Sequence, residues 1–227
     1  MSQDQNTYNK FYKDKDWTHK LGELKWQIKA YLKYISIQRN TSISSVLDVG
    51  CGTGDHCFLF DSMNFDVIGI DFSSTAISKA KAKYEHIDFY ESDASTIDLS
   101  KRFDLLFVSG FSVFNTDDLS KPKRIITNWI SELENNGTIL VLSRTDLTGK
   151  KSSGGWFFHT EEEIRSMYNH SDFDTVLYYA HPKLRYFVLL PLFPKFWARL
   201  VHVISKYLFA YTLKTPIRYM VILTKKS

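Results

Sequence analysis

The 227-residue sequence is poor in cysteine and proline, with two and five respectively. It contains no apolar stretch of the ~18 uncharged residues that a membrane-spanning helix requires. The two cysteines, Cys51 and Cys57, flank a tight turn and cannot frame a disulfide scaffold. They read as free thiols of a reducing compartment. The opening MSQDQNTYNK lacks an apolar core, so no secretory leader is expected. Repeats and low-complexity tracts are missing too, which excludes solenoid and fibrous architectures. Acidic side chains are absent from residues 183–227, which carry nine Lys and Arg.

What is present fits a globular protein. Hydrophobic residues make up 44% and aromatics 15%, enough for a packed core. The net charge of +4 divides unevenly, as +4 over 1–45, −9 over 46–182 and +9 over 183–227. An acidic middle thus precedes a basic, aromatic tail. Periodicity predicts helices over 18–37, 55–63, 73–84, 121–134 and 160–168, and strands over 45–49, 66–71, 87–94, 103–110, 138–144, 174–180 and 218–226. Ser73 is a candidate N-cap, Thr160 and Glu163 a capping box, and Asn136-Gly137 a turn. The alternation predicts an α/β fold, a doubly wound, mostly parallel sheet in a single domain.

Within that sheet the run VLDVGCGTGD, residues 46–55, places glycine at 50, 52 and 54 directly after the first strand. Glycine costs conformational entropy and packs nothing, so a backbone requirement must favour it here. Gly50 and Gly52 let the chain bend and let a ligand touch main chain, while Gly54 lets the following helix approach the strand. Asp71 closes the second strand at the spacing where a carboxylate accepts ribose hydroxyls. A pyrophosphate site reads G-x-G-x-x-G. This run is tighter, and Asp48 and Asp55 flank it, which disfavours an anion. A ligand with a cationic ammonium and sulfonium suits it, which describes S-adenosylmethionine.

These residues resemble the Rossmann-like (class I) S-adenosylmethionine-dependent methyltransferases over roughly 40–180 and again at the last strand. The motifs are VLDVGCGTG, VIGIDFSSTAISKAK, FYESDAS, FDLLFVSGFSVFN and RYMVILTKK. The resemblance implies a seven-stranded sheet with an antiparallel last strand. The single domain is then expected to divide into an N-terminal helical lid (1–40), a cofactor-binding core (41–182), a helical insertion (183–216) where the sequence departs from a minimal member of the family, and a final strand (217–227). By the same resemblance Gly50, Gly52 and Gly54 line the methionine portion and Asp71 holds the ribose. Asp93 and Ala94 meet the adenine, Phe72 packs on it, and the fourth strand ends at Ser109 beside the transferred methyl. Tyr8 or Tyr12, in an aromatic N-terminal segment that also holds Trp17, bonds the methionine carboxylate.

A sulfonium is already an activated donor, so the enzyme needs chiefly to position an acceptor. A hydroxyl acceptor also needs a base. His159, after a glycine pair and before a helix cap, is the candidate, ahead of His181 and His56. Asp117-Asp118 reads as a helix cap, and no metal site is expected. The tail presents Lys195, Arg199, His202 and Lys206 as one polar stripe, with apolar residues around the rest of a helix over 194–213. It is read as a lid over the substrate pocket, a homodimer contact, or a peripheral membrane surface. The expected activity is O-methylation of a small-molecule or glycan-type acceptor in the cytoplasm or at a membrane periphery. N-methylation of a small amine or nucleotide-linked sugar, an NAD-dependent oxidoreductase and an RNA methyltransferase are the alternatives. Nucleic acid is disfavoured because the tail cations are interleaved with Leu, Phe and Val.

Overall fold

The computed structural model describes residues 5–14, 21–39, 42–151 and 155–226. The predicted 18–20 start of the second helix and Trp17 lie outside them. Seven strands form the central sheet: β1 (Ser45–Val49), β2 (Asp66–Asp71), β3 (Asp88–Glu91), β4 (Phe103–Ser109), β5 (Leu133–Thr145), β8 (Phe173–Ala180) and β9 (Ile217–Lys225). Their order is β3-β2-β1-β4-β5-β9-β8. β9 runs antiparallel to both neighbours, and the pairings among β1 to β5 are parallel. The expected antiparallel last strand is present, and it lies inside the sheet rather than at its edge. A small hairpin, β6 (Lys150–Lys151) with β7 (Phe157–Phe158), forms where a loop was read.

Strands covered on both faces are apolar nearly throughout, and alternate residues serve opposite layers. Val46, Phe107, Leu142 and Met220 face one layer, with helices α2 (Leu21–Gln38), α3 (Asp55–Asp61), α4 (Ser74–Lys83) and α7 (Pro194–Ile204) on that side. Val49, Val108, Val141 and Tyr219 face the other, with α5 (Ser120–Asn128) and α6 (Glu161–Tyr168). The ten-residue α1 (Gln5–Asp14) lies at the rim.

The caps form as their residue types require. Ala76 N donates to Ser73 Oγ at the start of α4. Thr160 and Glu163 exchange both bonds of a capping box on α6.

Three local expectations change. Asn136-Gly137 is not a turn between elements. It is the irregular stretch where β5 slips register against β4, from Phe103↔Leu133 to Leu105↔Thr138, with Asn136 at φ 61°. The helix predicted to 134 tightens into a 3-10 turn at Trp129–Glu132, where the buried Trp129 indole N–H donates to the Ala94 carbonyl. The tail helix widens into a π-helix over Ser205–Thr212, and its polar stripe splits. His202 accepts from Tyr179 N (3.2 Å) and Lys206 pairs with Glu161 (2.5 Å), both against the core, while Lys195, Arg199, Phe196, Val203 and Tyr207 face out. Burial keeps the His202 pKa below its usual value, consistent with a neutral acceptor. Among the described residues no helix is long and apolar enough to cross a membrane.

Candidate active site

The glycine turn leaves β1 and is tied to the neighbouring strand, since Gly50 N and Cys51 N both donate to the Ile70 carbonyl (2.8 and 2.9 Å). Gly50, Gly52 and Gly54 all have left-handed φ, at 76°, 55° and 83°. That region costs an L side chain about 1–2 kcal/mol. Space is also short. A Cβ on Gly52 would stand 2.8 Å from the Tyr12 hydroxyl, and one on Gly54 would stand 2.7 Å from the Phe89 ring. Gly52 therefore brings backbone against Tyr12 of the N-terminal helix, and Gly54 brings α3 against β3 and lies off the cavity.

Asp71, at the end of β2, accepts from Gly52 N (3.0 Å) with one oxygen and from Ser73 N (2.9 Å) with the other. Burial raises its pKa, against the lowering effect of those N–H groups. Asp48 lies beneath the turn rather than at its surface. It is buried, accepts from Cys57 Sγ (3.3 Å), and its pKa is pushed up to about 7 by desolvation. Asp55 is held by Lys83 Nζ (2.6 Å) and the Tyr84 hydroxyl (2.7 Å). Both cysteines are free thiols. Carboxylates around a cradle of main chain fit a ligand with a cation and sugar hydroxyls, and fit a pyrophosphate badly.

α1 docks on the rim through Gln5 and Asn9, to which the sequence assigned no role. Gln5 Nε2 donates to the Phe72 carbonyl (2.7 Å) and to Glu91 (2.6 Å), and Asn9 Oδ1 accepts from Ser73 Oγ (2.7 Å). Tyr8 meets the Phe72 ring edge-on at 4.8 Å. Burial beside Asp71 and Cys51 raises the Tyr12 pKa, so its phenol stays protonated as a donor. Asp93 accepts from Ser95 N (2.8 Å) and is exposed beyond β3, and Ala94 is buried beneath it. Asp71, Phe72, Asp93 and Ala94 thus follow the rim of β2 and β3.

A cavity of about 340 Å³ gathers Tyr12, Gly50, Gly52 and Ser109 of the expected residues. It adds Phe11, Leu24, Gln27, Tyr31, His56 and Arg218. His159 is not among its walls. Its ring is 3% exposed, stacks on Phe157 at 5.5 Å, and its Nε2 sits 2.8 Å from the Thr116 carbonyl. The base expected there is committed to ordering the loop before α6. His181 stacks on Phe209 at 3.9 Å, also away from the cavity. His56, ranked low in sequence, does line it, with its ring 5.1 Å from Phe107. Asp118 accepts from Ser120 Oγ (2.6 Å) and pairs with Arg124 (2.9 Å), which lower its pKa to about 2. The available signal for Arg218 was the antiparallel last strand, which delivers its first residues, not its last, to the mouth.

The methyltransferase domain family model matches residues 40–179, more than half of the chain. A ubiquinone/menaquinone biosynthesis C-methyltransferase UbiE of Campylobacter jejuni is 24% identical over 142 residues, covering 59% of this chain and 57% of that protein. A ubiquinone biosynthesis O-methyltransferase of Rhodopseudomonas palustris is 38% identical over 65 residues, covering 27% and 26%. The chain spans little more than half the length of the first of these relatives. The plantazolicin methyltransferase BamL, solved with a triazolic desmethylPZN analog and SAH, matches the fold at TM-score 0.67 and 18% identity, covering 100% of this chain and 92% of that one. With the strand order and the glycine turn already in place, the match over 40–179 shows that the chain belongs to the methyltransferase domain family, and its seven-stranded sheet has the class I fold.

Proposed function

We propose that the chain methylates a hydroxyl of a small-molecule or glycan-type acceptor, seated between α2, the end of β4 and the start of β9. The observation that carries this reading is the cavity itself. It continues from the glycine turn to Gln27, Tyr31, His56 and Arg218 under α2. Its volume lies at the low end of the ~300–1,000 Å³ usual for small-molecule sites, which supports a small acceptor over a nucleic acid.

The donor set suits S-adenosylmethionine, which when bound supplies a methyl group on a sulfonium. Gly50 and Gly52 would hold its methionyl portion and Tyr12 would donate to its carboxylate. Asp71 would accept from the ribose hydroxyls, with lone pairs left beyond the Gly52 and Ser73 bonds. Phe72, Asp93 and Ala94 would border the adenine. Asp48 acts from below by setting the charge under the turn.

On the acceptor side Leu24 excludes water, and Gln27 and Tyr31 orient polar groups of the acceptor. His56, which lines the cavity, takes the proton that the acceptor hydroxyl gives up. In a screen of hydroxyl and amine acceptors with labelled cofactor, product should appear among the hydroxyl compounds. His56→Gln should lower kcat by about 10²–10⁴ and leave SAH affinity, measured by calorimetry, unchanged. Product confined to amines would replace this reading with N-methylation, and an undiminished kcat in the variant would remove the base role from His56.

A further inference from the structure

We infer that residues 187–213, with the adjoining Trp26 of α2, form a surface that lies against an anionic lipid bilayer. Ten of the thirteen large apolar side chains left exposed among the described residues fall in 187–213. Such concentration marks an interaction site rather than the scattered apolar exposure of an ordinary surface. The most prominent are Leu192 and Phe193, 68% and 74% exposed, between Pro191 and Pro194. Phe193 is left-handed, at φ 55° and ψ 53°, a conformation that bulky residues rarely adopt. The two prolines and the start of α7 hold this apolar tip outward, where water gives it no stabilisation.

Behind the tip, Phe196, Val203, Tyr207 and Tyr211 are exposed along α7 and the π-helix. Their spacing of seven, four and four residues sets them along one outward face. This is the face that the inward turn of His202 and Lys206 leaves uncovered. Trp26 extends it across an apolar groove lined by Tyr186, Leu189 and Leu190, and Lys29 Nζ sits 5.0 Å over the Trp26 ring.

Charge selects the occupant. Lys183, Lys195, Arg199 and Lys214 are exposed, and residues 183–227 contain no acid. Glu23, which borders the groove, pairs with Arg185 (3.5 Å). A second copy docked about a two-fold axis would set this surface against itself, bringing Lys195 and Arg199 near their own counterparts with no carboxylate of the segment to neutralise them. Anionic headgroups supply that neutralisation, while the apolar row enters the acyl boundary. Among the described residues no helix is long and apolar enough to cross a membrane, and Ala198 and Val201 of α7 are packed in the core, so the segment lies in the interface plane. The surface adjoins the reaction site, because Leu24 and Gln27 of α2 line the cavity while Glu23 and Trp26 line the groove.

The test is flotation of the full chain with phosphatidylcholine vesicles, with and without phosphatidylglycerol, at low and physiological salt. The chain should float with the anionic vesicles. Leu192→Ser/Phe193→Ser should lower partitioning at least about tenfold. Lys195→Glu/Arg199→Glu should erase the preference for phosphatidylglycerol. SAH affinity, unchanged in both double variants, shows that they are folded. Absence of flotation at low salt, or flotation of the Leu192→Ser/Phe193→Ser protein equal to wild type, overturns the inference. So does a dimer in sedimentation velocity that Leu192→Ser/Phe193→Ser dissociates, since it assigns the surface to a second copy.

Discussion

The glycine turn and the C-terminal insertion are opposite ways of building a surface. At the turn, backbone geometry dictates residue identity. Three left-handed positions, two N–H groups on one carbonyl and a carboxylate with two main-chain donors leave little freedom. In the insertion, composition is permissive. Leu, Phe, Val and Tyr surround the helix, and the partner strand decides which of them is covered. A surface set by main chain is legible in order of residues, whereas one set by docking is legible only in total.

The contrast is broken most severely at position 52. Gly52→Val adds a branched side chain at φ 55°, with its Cβ 2.8 Å from the Tyr12 hydroxyl. SAH affinity by calorimetry should fall by more than about 100-fold, given strain of ~1–2 kcal/mol and the clash with Tyr12. An unchanged affinity would mean that the turn does not need its backbone form.

Asp71→Ala comes next. Loss of a charged hydrogen-bond acceptor should weaken SAH by roughly 1.5–3 kcal/mol, and affinity within a factor of two of wild type would remove Asp71 from the ribose site. The insertion should answer by face rather than by residue type. Val201 is buried and Val203 is 49% exposed, two positions apart in α7. Val201→Ala should cost about 1.5–3 kcal/mol in urea unfolding, and Val203→Ala should stay within ~0.5 kcal/mol. Equal costs would mean that both faces of α7 are packed in solution.

The same difference explains what could be read from sequence. The parallel strands were legible because burial on both faces makes them continuous apolar runs, as in FDLLFVS. Ser73, Thr160 and Glu163 were legible because capping is local chemistry. Asn136-Gly137 misled because a positive φ serves a bulge as well as a turn, and β5 pairs with β4 on both sides of it, at Leu133 and again from Thr138. His159 misled because its partner, the Thr116 carbonyl, lies 43 residues away. His56 and Arg218 reach the cavity from the first turn of α3 and the first residues of β9, and no local pattern shows that these two places face one another. The docking of α1 through Gln5 and Asn9 depends on the carbonyl of Phe72 and the hydroxyl of Ser73, which become neighbours only after β2 and α4 are built.

One consequence follows from the direction of β9. Ala180, where β8 ends, pairs with Arg218, near the start of β9, so the chain departs from the mouth of the sheet and returns to it beside the same bond. Everything between them hangs from that doorway as a cassette. Its inner face is fixed, because Val188, Ala198 and Val201 pack into the core layer and Ser205 Oγ accepts from His181 N, while its outer face meets no other part of the described chain. Substitutions on that outer face can therefore accumulate while the register of the sheet and the shape of the glycine turn stay as they are.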